Sequence, residues 1–246
     1  AGALVASPAN SWAISNLTNQ LFFSFADVKP GDIGEDTISV HAGTNDAYAC
    51  MAAKITATPE NSLVDPETDA GDTGPANGNN GELQNHINFV FWNDDGDNVY
   101  ETGETSITAL TGQAGTVFNG AWSAVGTGAI PGNTTRYVAK AWCFGGITPA
   151  PVAQDGQGKI GTNGPLNRGT GFSCSGAGNQ NIAQTDGILV DVSFQAVQAR
   201  NNGQFSCASL PPLAGSSSIV EIPQNGLATL LSEVVNDPTK WFFYND

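Results

Sequence analysis

The stretch from Ile87 to Glu104 constrains this chain most. Ile87, Phe89 and Phe91 alternate as residues on one face of a β-strand do, and the strand runs straight into Asn93-Asp94-Asp95-Gly96-Asp97-Asn98-Val99-Tyr100-Glu101-Thr102-Gly103-Glu104. Counted from Asn93, side-chain oxygens stand at positions one, three, five, nine and twelve (Asn93, Asp95, Asp97, Glu101, Glu104), with the Val99 carbonyl at seven. That is the spacing of a calcium loop: a hard divalent cation takes six to eight oxygens, and only a tightly coiled loop turns alternate residues toward one point. Asn98 stands where such a loop needs a positive φ, which Asn tolerates. Glu104 is the expected bidentate ligand. The competing reading is an acidic, solvated hairpin loop, and with no helix before it a helical EF-hand pair is not implied.

Charge points the same way. The chain has 246 residues, with 23 acidic against 8 basic side chains and a formal charge of −15. Nucleic acid and anionic membrane surfaces are poor partners for such a chain, and bound divalent cations would relieve the self-repulsion. Four cysteines without a Cys-x-x-Cys pair read as two disulfides in a secreted protein. Sequence permits three pairings. A Cys143–Cys174 bridge would close the Gly- and Pro-rich excursion that follows Phe144, which would leave Cys50–Cys207 as the second. No run of eighteen apolar residues suggests a membrane span, and Ala1-Gly2-Ala3 reads as the start left by a leader's removal. Asn16-Leu17-Thr18 and Asn133-Thr134-Thr135 fit the N-glycosylation pattern or are simply turns.

Hydrophobic alternation and turn residues predict an all-β chain. Strands are expected around Phe23 and Phe25, then, after a type II turn at Lys29-Pro30-Gly31-Asp32, over Thr37–His41 as the second arm of a hairpin-like pair. Further strands are expected over Ala49–Thr56, Gly112–Val125 and Arg136–Phe144. The cleanest alternation sets Ile188, Val190, Val192, Phe194 and Ala196 against Leu189, Asp191, Ser193 and Gln195, as in a central strand with one core face. Pro59 to Gly81 reads as a long loop whose Asp65, Glu67, Asp69 and Asp72 are candidates for a second cation. After Pro211-Pro212 the composition changes. A helix is expected with Leu227, Leu230, Leu231, Val234 and Val235 on its apolar face, followed by Trp241 to Asp246, which echoes the Phe89–Asp94 strand.

His41 and His86 are the only histidines, far apart and outside any His-Glu-x-x-His helix, so zinc hydrolysis has no visible basis. No nucleophile stands in a recognisable catalytic setting, and a non-enzymatic protein is expected. Five tryptophans (Trp12, Trp92, Trp122, Trp142, Trp241) could furnish a sugar-binding platform, although Trp more often buries its body and bonds its N–H.

Four stretches, Phe25-Ala26-Asp27-Val28-Lys29-Pro30-Gly31-Asp32 with its following strand, Asn88 to Glu104, Ala141-Trp142-Cys143-Phe144-Gly145, and Asp186 to Cys207, resemble the TasA/camelysin family of secreted matrix-fibre proteins. The resemblance covers roughly residues 20–210. It implies a jelly-roll-like β-sandwich and, as in filament-forming relatives, donor-strand exchange: the N-terminal segment of one subunit completes the sheet of the next. Here Ala3, Leu4, Val5 and Ala6 would be that strand, with Ala1 to about Ser15 unpaired within its own subunit. The long loops, the four cysteines and the stretch after Pro212 depart from the family pattern.

The expected organisation is a donor segment over 1–19, a β-sandwich over 20–212 and a C-terminal helix-plus-strand extension over 213–246. The expected function is that of a calcium-stabilised subunit of an extracellular filament or biofilm-matrix fibre, with other copies of the same chain as partners. A calcium-dependent adhesin or carbohydrate-binding module is the alternative, and a camelysin-like metalloprotease a more distant one.

Overall fold

The computed structural model describes residues 12–15, 22, 28–178, 180–213 and 241–245. The donor segment Ala3–Ala6, the helix expected over 225–235, Phe23, Phe25 and Asn16 lie outside the described residues.

Twelve strands are described: β1 (Trp12–Ser15), β2 (Ile33–Ala42), β3 (Ala47–Ala57), β4 (Ile87–Asp94), β5 (Thr105–Ser106), β6 (Gly112–Gln113), β7 (Ser123–Ala124), β8 (Thr135–Phe144), β9 (Gly146–Pro149), β10 (Phe172–Ser175), β11 (Leu189–Gln198) and β12 (Trp241–Asn245). Short helices α1 (Asp65–Ala70), α2 (Ala114–Val117) and α3 (Pro165–Arg168) interrupt the loops. The larger sheet runs β1-β12-β2-β8-β4-β5, with β6 also on β4; the smaller runs β11-β3-β7, and β9 pairs with β10. All these pairings are antiparallel, which makes the protein an all-β sandwich, as expected.

The pleat explains the layers, because successive side chains on a strand face opposite ways. Phe89 and Phe91 on β4 join Val40 on β2 and Val138 on β8 in a core shared with Ala49, Met51 and Ala53 of β3, on the smaller sheet. Phe118 closes that core, its ring 4.7 Å from that of Phe89. Gly34 belongs to the same inner side of β2: a Cβ there would stand 2.5 Å from the Trp142 indole, so only glycine leaves room for the ring.

Val90 and Trp92 face the other way and pack with Ala139 and Ala141 of β8. A third layer, the 95–104 loop and the 146–175 excursion, covers this outer face through Tyr100, Ile147 and Phe172. Tyr100 and Phe172 stack with ring centroids 4.9 Å apart. The Cys143–Cys174 disulfide closes the excursion, while Cys50–Cys207 ties β3 to the segment after β11.

The turn at Lys29–Asp32 forms, with Asp32 N–H donating to the Lys29 carbonyl (2.9 Å) and Gly31 at φ 93°. Several local expectations need correction. Gly112–Val125 is not one strand but β6, α2 and β7, with Gly112 (φ 142°) and Gly120 (φ 87°) in backbone conformations that a continuous strand does not use. β11 keeps its single core face, yet among the described residues it stands at the end of its sheet rather than at the centre, since alternation reports burial of a face and not the number of neighbours. β1 pairs within its own chain, Trp12 opposite Asn245 and Ser15 opposite Phe243, so the expectation that residues up to Ser15 stay unpaired fails for 12–15. The reason lies in β12, which docks on β2 from Trp241 opposite Ala42 to Asn245 opposite Ile38 and offers its other side to β1.

The disulfides allow a ranked prediction. Their sequence separations are 31 residues for Cys143–Cys174 and 157 for Cys50–Cys207. On the loop-entropy model, replacing the first pair by serine lowers stability by about 3–4 kcal/mol and replacing the second by about 5 kcal/mol. Denaturant unfolding of the two double variants checks the order.

Candidate metal centre

The 93–104 loop is built around Asp94, the one acid of the stretch that the calcium spacing leaves unused. Its Oδ2 accepts the N–H groups of Gly96 and Asn98 (both 3.1 Å), and its Oδ1 accepts Trp92 Nε1–H (3.2 Å). The Thr37 hydroxyl reaches Asn98 Oδ1 (2.7 Å) and Asp94 Oδ2 (3.2 Å), fixing the loop to β2. Asn98 has φ 63°, the left-handed conformation expected of it. Glu104 closes the coil: its Oε1 accepts the Asp95 N–H (3.0 Å) and its Oε2 the Glu101 N–H (2.8 Å). Asp97 Oδ1 accepts the Val99 N–H at 2.9 Å, and the Val99 side chain is buried beneath.

The coil gathers the carboxylates into two overlapping groups, Asp94–Asp95–Glu104 and Asp95–Asp97–Glu101, each with ligand atoms within 4.8 Å of one another. Asp95 belongs to both. The first group opens into a depression of about 420 Å³ lined by Asn93, Thr102, Gly103, Thr105 and Gln154 as well as its own acids. Asn93 Oδ1, Asp95 Oδ1 and Glu101 Oε2 are buried without a hydrogen-bond partner. Grouped carboxylates with orphaned oxygens among them fit a hard divalent cation, and carboxylate oxygens that already accept one N–H keep a further lone pair for it.

The second group holds a cation of the protein's own. Arg168 Nη1 donates to Asp97 Oδ2 (2.6 Å), ion-pairs with Glu101, and lies 3.3 Å from Asp155 Oδ2. Arg168 Nη2 donates to the Ala153 carbonyl at 2.7 Å, and Asn163 Nδ2 donates to Asp97 Oδ2 at 3.2 Å. The excursion therefore supplies Arg168, Asp155, Asn163 and Gln154 to a site that the sequence places in the loop alone. The signal for Arg168 was faint: with only 8 basic side chains against 23 acidic ones, each cation has many carboxylates to choose from.

Glu35 carries no comparable signal in the sequence. It stands on β2 opposite Ala141, facing the loop, with both carboxyl oxygens buried and unpartnered. Burial first, then the Asp94 and Asp97 charges, push its pKa up to about 9. Burial likewise raises Glu104 to about 8, with Asp94 and Asp95 adding to the rise and the Glu101 and Asp95 N–H groups opposing it. Burial lifts Asp94 to about 7 and Asp97 to about 6, despite the N–H bonds from Asn98 and Val99 respectively.

The four second-cation candidates divide. Glu67 and Asp72 are buried and join acidic groups with Glu60, Glu82 and Asp186; Asp65 and Asp69 are exposed and stand in none of the groups found among the described residues. A helix explains the split, since α1 turns Glu67 inward and Asp65 and Asp69 outward. His41 bonds to Ser39 Oγ and Thr135 Oγ1 (both 3.0 Å), and His86 Nδ1 to Gln180 Oε1 (3.0 Å). Neither stands in a metal-capable group among the described residues.

Two outcomes are expected of the loop. Acids whose folded pKa is raised leave the native state binding more protons than the unfolded chain, so without divalent cation stability falls as pH rises from about 4.5 to about 8, the range set by Glu104. Calcium, taking the place of the protons, should flatten that slope and raise the melting temperature at pH 8. Glu104→Gln should weaken the calcium response most. Thermal melts from pH 5 to 8 in calcium and in chelator check both, and superimposable curves would remove the assignment. Set beside known proteins, the chain matches no family model and no curated sequence.

Proposed function

We propose that the protein is a structural subunit of an extracellular filament or matrix fibre, stabilised by calcium at the 93–104 loop and polymerising by exchange of its N-terminal segment. The observation that carries the reading is the position of β1. Among the described residues it is one of the two end strands of the larger sheet, and the apolar Ala3-Leu4-Val5-Ala6 stretch lies a few residues upstream. The chain thus enters the sandwich at a sheet edge, the place from which a strand can add to a neighbour's sheet and generate an open head-to-tail chain. Two disulfides suit an oxidising, extracellular setting. No helix among the described residues is long and apolar enough to cross a membrane.

The adhesin reading has less to stand on. Trp92 and Trp142 are buried, and Trp122 is half-buried with its Nε1–H donated to the Pro211 carbonyl at 2.8 Å, so these three rings are used inside the protein and not as an exposed platform. The metalloprotease reading would need a ligand set that includes His41 or His86, whose nitrogens bond to Ser39, Thr135 and Gln180 instead.

The test removes residues 1–11 and leaves β1 in place. The truncated chain should remain folded and monomeric by light scattering, while the full chain forms filaments under negative stain. A synthetic peptide of residues 1–11 should raise the melting temperature of the truncated chain by filling the acceptor site. Filaments built by the truncated chain would show that a different contact joins the subunits.

A further inference from the structure

A second set of acids, outside the 93–104 loop, gathers where the 58–82 segment meets residues 185–187. Glu60, Asp72 and Glu82 form one group and Glu60, Glu67 and Asp186 another, each with ligand atoms within 4.8 Å of one another. Glu60 is common to both. Two oxygens bound to one calcium stand at most about 5 Å apart, so either group fits within a single coordination sphere.

Acidity alone would not mark a site, but the hydrogen bonding does. Glu67 is satisfied: its Oε2 accepts the Val64 N–H (2.9 Å) and its Oε1 the Thr185 N–H (2.8 Å), which fixes α1 to the 185 turn. Asp72 Oδ1 accepts the Gly74 N–H at 2.8 Å, Asp186 Oδ2 accepts the Glu82 N–H, and Thr185 Oγ1 lies 3.4 Å from Glu60 Oε1. Each of the other four acids has an oxygen left over. Glu60 Oε2, Asp72 Oδ2, Glu82 Oε2 and Asp186 Oδ1 are buried with no donor, in residues of which Glu60 is 3% and Asp72 5% exposed. A buried carboxylate oxygen without a donor costs several kcal/mol of desolvation in general, and four in one place call for a shared counter-charge.

In the loop Arg168 supplies part of that charge. Here no ion pair among the described residues reaches any of the five acids. Burial and the neighbouring Asp186 charge push both Glu60 and Glu82 up to about 7, so protons would compete with a bound ion there.

We infer that Glu60, Asp72, Glu82 and Asp186, with Glu67 holding the frame, form a second site for a hard divalent cation of the calcium class, independent of the 93–104 loop. The ion bridges the segment that leaves β3 to the segment that enters β11, two strands already paired from Ala57 opposite Leu189 onward. Its structural effect is to close that end of the smaller sheet and to order the 58–82 segment.

Calcium binding to the full chain, measured by equilibrium dialysis with metal analysis at pH 7.5, separates the two sites. Glu104→Gln, with the new cluster intact, should still bind one calcium that the further changes Glu60→Gln and Asp72→Asn abolish. In the otherwise native chain, Glu60→Gln with Asp72→Asn should lower the bound calcium by one ion. Both changes remove charge without changing shape, so in chelator these variants should melt no lower than the parent. Calcium should also slow proteolytic cutting between residues 59 and 81 in the native chain and not in the variant. Retention of the full calcium count by the Glu60→Gln, Asp72→Asn variant would overturn the proposal, showing that the acids are neutralised by protons. Loss of all calcium from Glu104→Gln alone would overturn it equally.

Discussion

Phe91 and Trp92 are neighbours on β4, and both are fully buried. A strand turns consecutive side chains to opposite faces, so a sheet that hides both must be covered twice. The smaller sheet covers the Phe91 side and the 95–104 loop with the 146–175 excursion covers the Trp92 side. Much of the rest follows from this double cover. The small residues Ala139 and Ala141 on β8 make room for the indole, Cys143–Cys174 anchors the excursion where it leaves and returns, and Tyr100 stacked on Phe172 joins the two halves of the outer layer.

The same cover places the acids of the loop under protein. Asp97 is 6% and Glu101 1% exposed, a low-dielectric setting in which like charges repel strongly. Three agents can neutralise them: the guanidinium of Arg168, protons held at raised pKa, and a divalent cation. Arg168 reaches only the Asp97–Glu101 half, leaving Asp95 and Glu104 beside an open depression. The Asp97–Arg168 and Asp97–Asn163 contacts join the loop to the excursion, so relief of the remaining repulsion between Asp95 and Glu104 would act on the outer layer as a whole. The Glu60 cluster has the same electrostatic form without an ion-paired cation among the described residues, and it lies between the end of β3 and the start of β11.

On the proposed reading, such sites would make rigidity depend on the medium. An ion at the loop, or one between the end of β3 and the start of β11, would stiffen the subunit at no cost in additional core.

Local information was enough for the features that depend on few neighbours. The all-β class, the alternating faces of β4 and β11, the Lys29–Asp32 turn, the positive φ of Asn98 and the gathering of Asp95, Asp97, Glu101 and Glu104 are all set by short-range sterics and by period-two patterning, and are legible in the sequence. The pairing Cys143–Cys174 with Cys50–Cys207 was one of three that the sequence allowed, and the structure has it. What the tertiary structure alone decided concerns partners far apart in the chain. Glu35 comes under the loop because β2 lies beside β8, Arg168 reaches Asp97 because the excursion folds back over the outer face, and β1 finds β12 across almost the full length of the chain. Within α1 Glu67 faces inward while Asp65 and Asp69 face outward, and Glu67 and the following Asp72 are brought to Glu60, Glu82 and Asp186 by the fold of the 58–82 segment against residues 185–187. No periodicity reports such contacts, because loop closure is set by the packing of the whole sandwich and not by the residues that happen to meet.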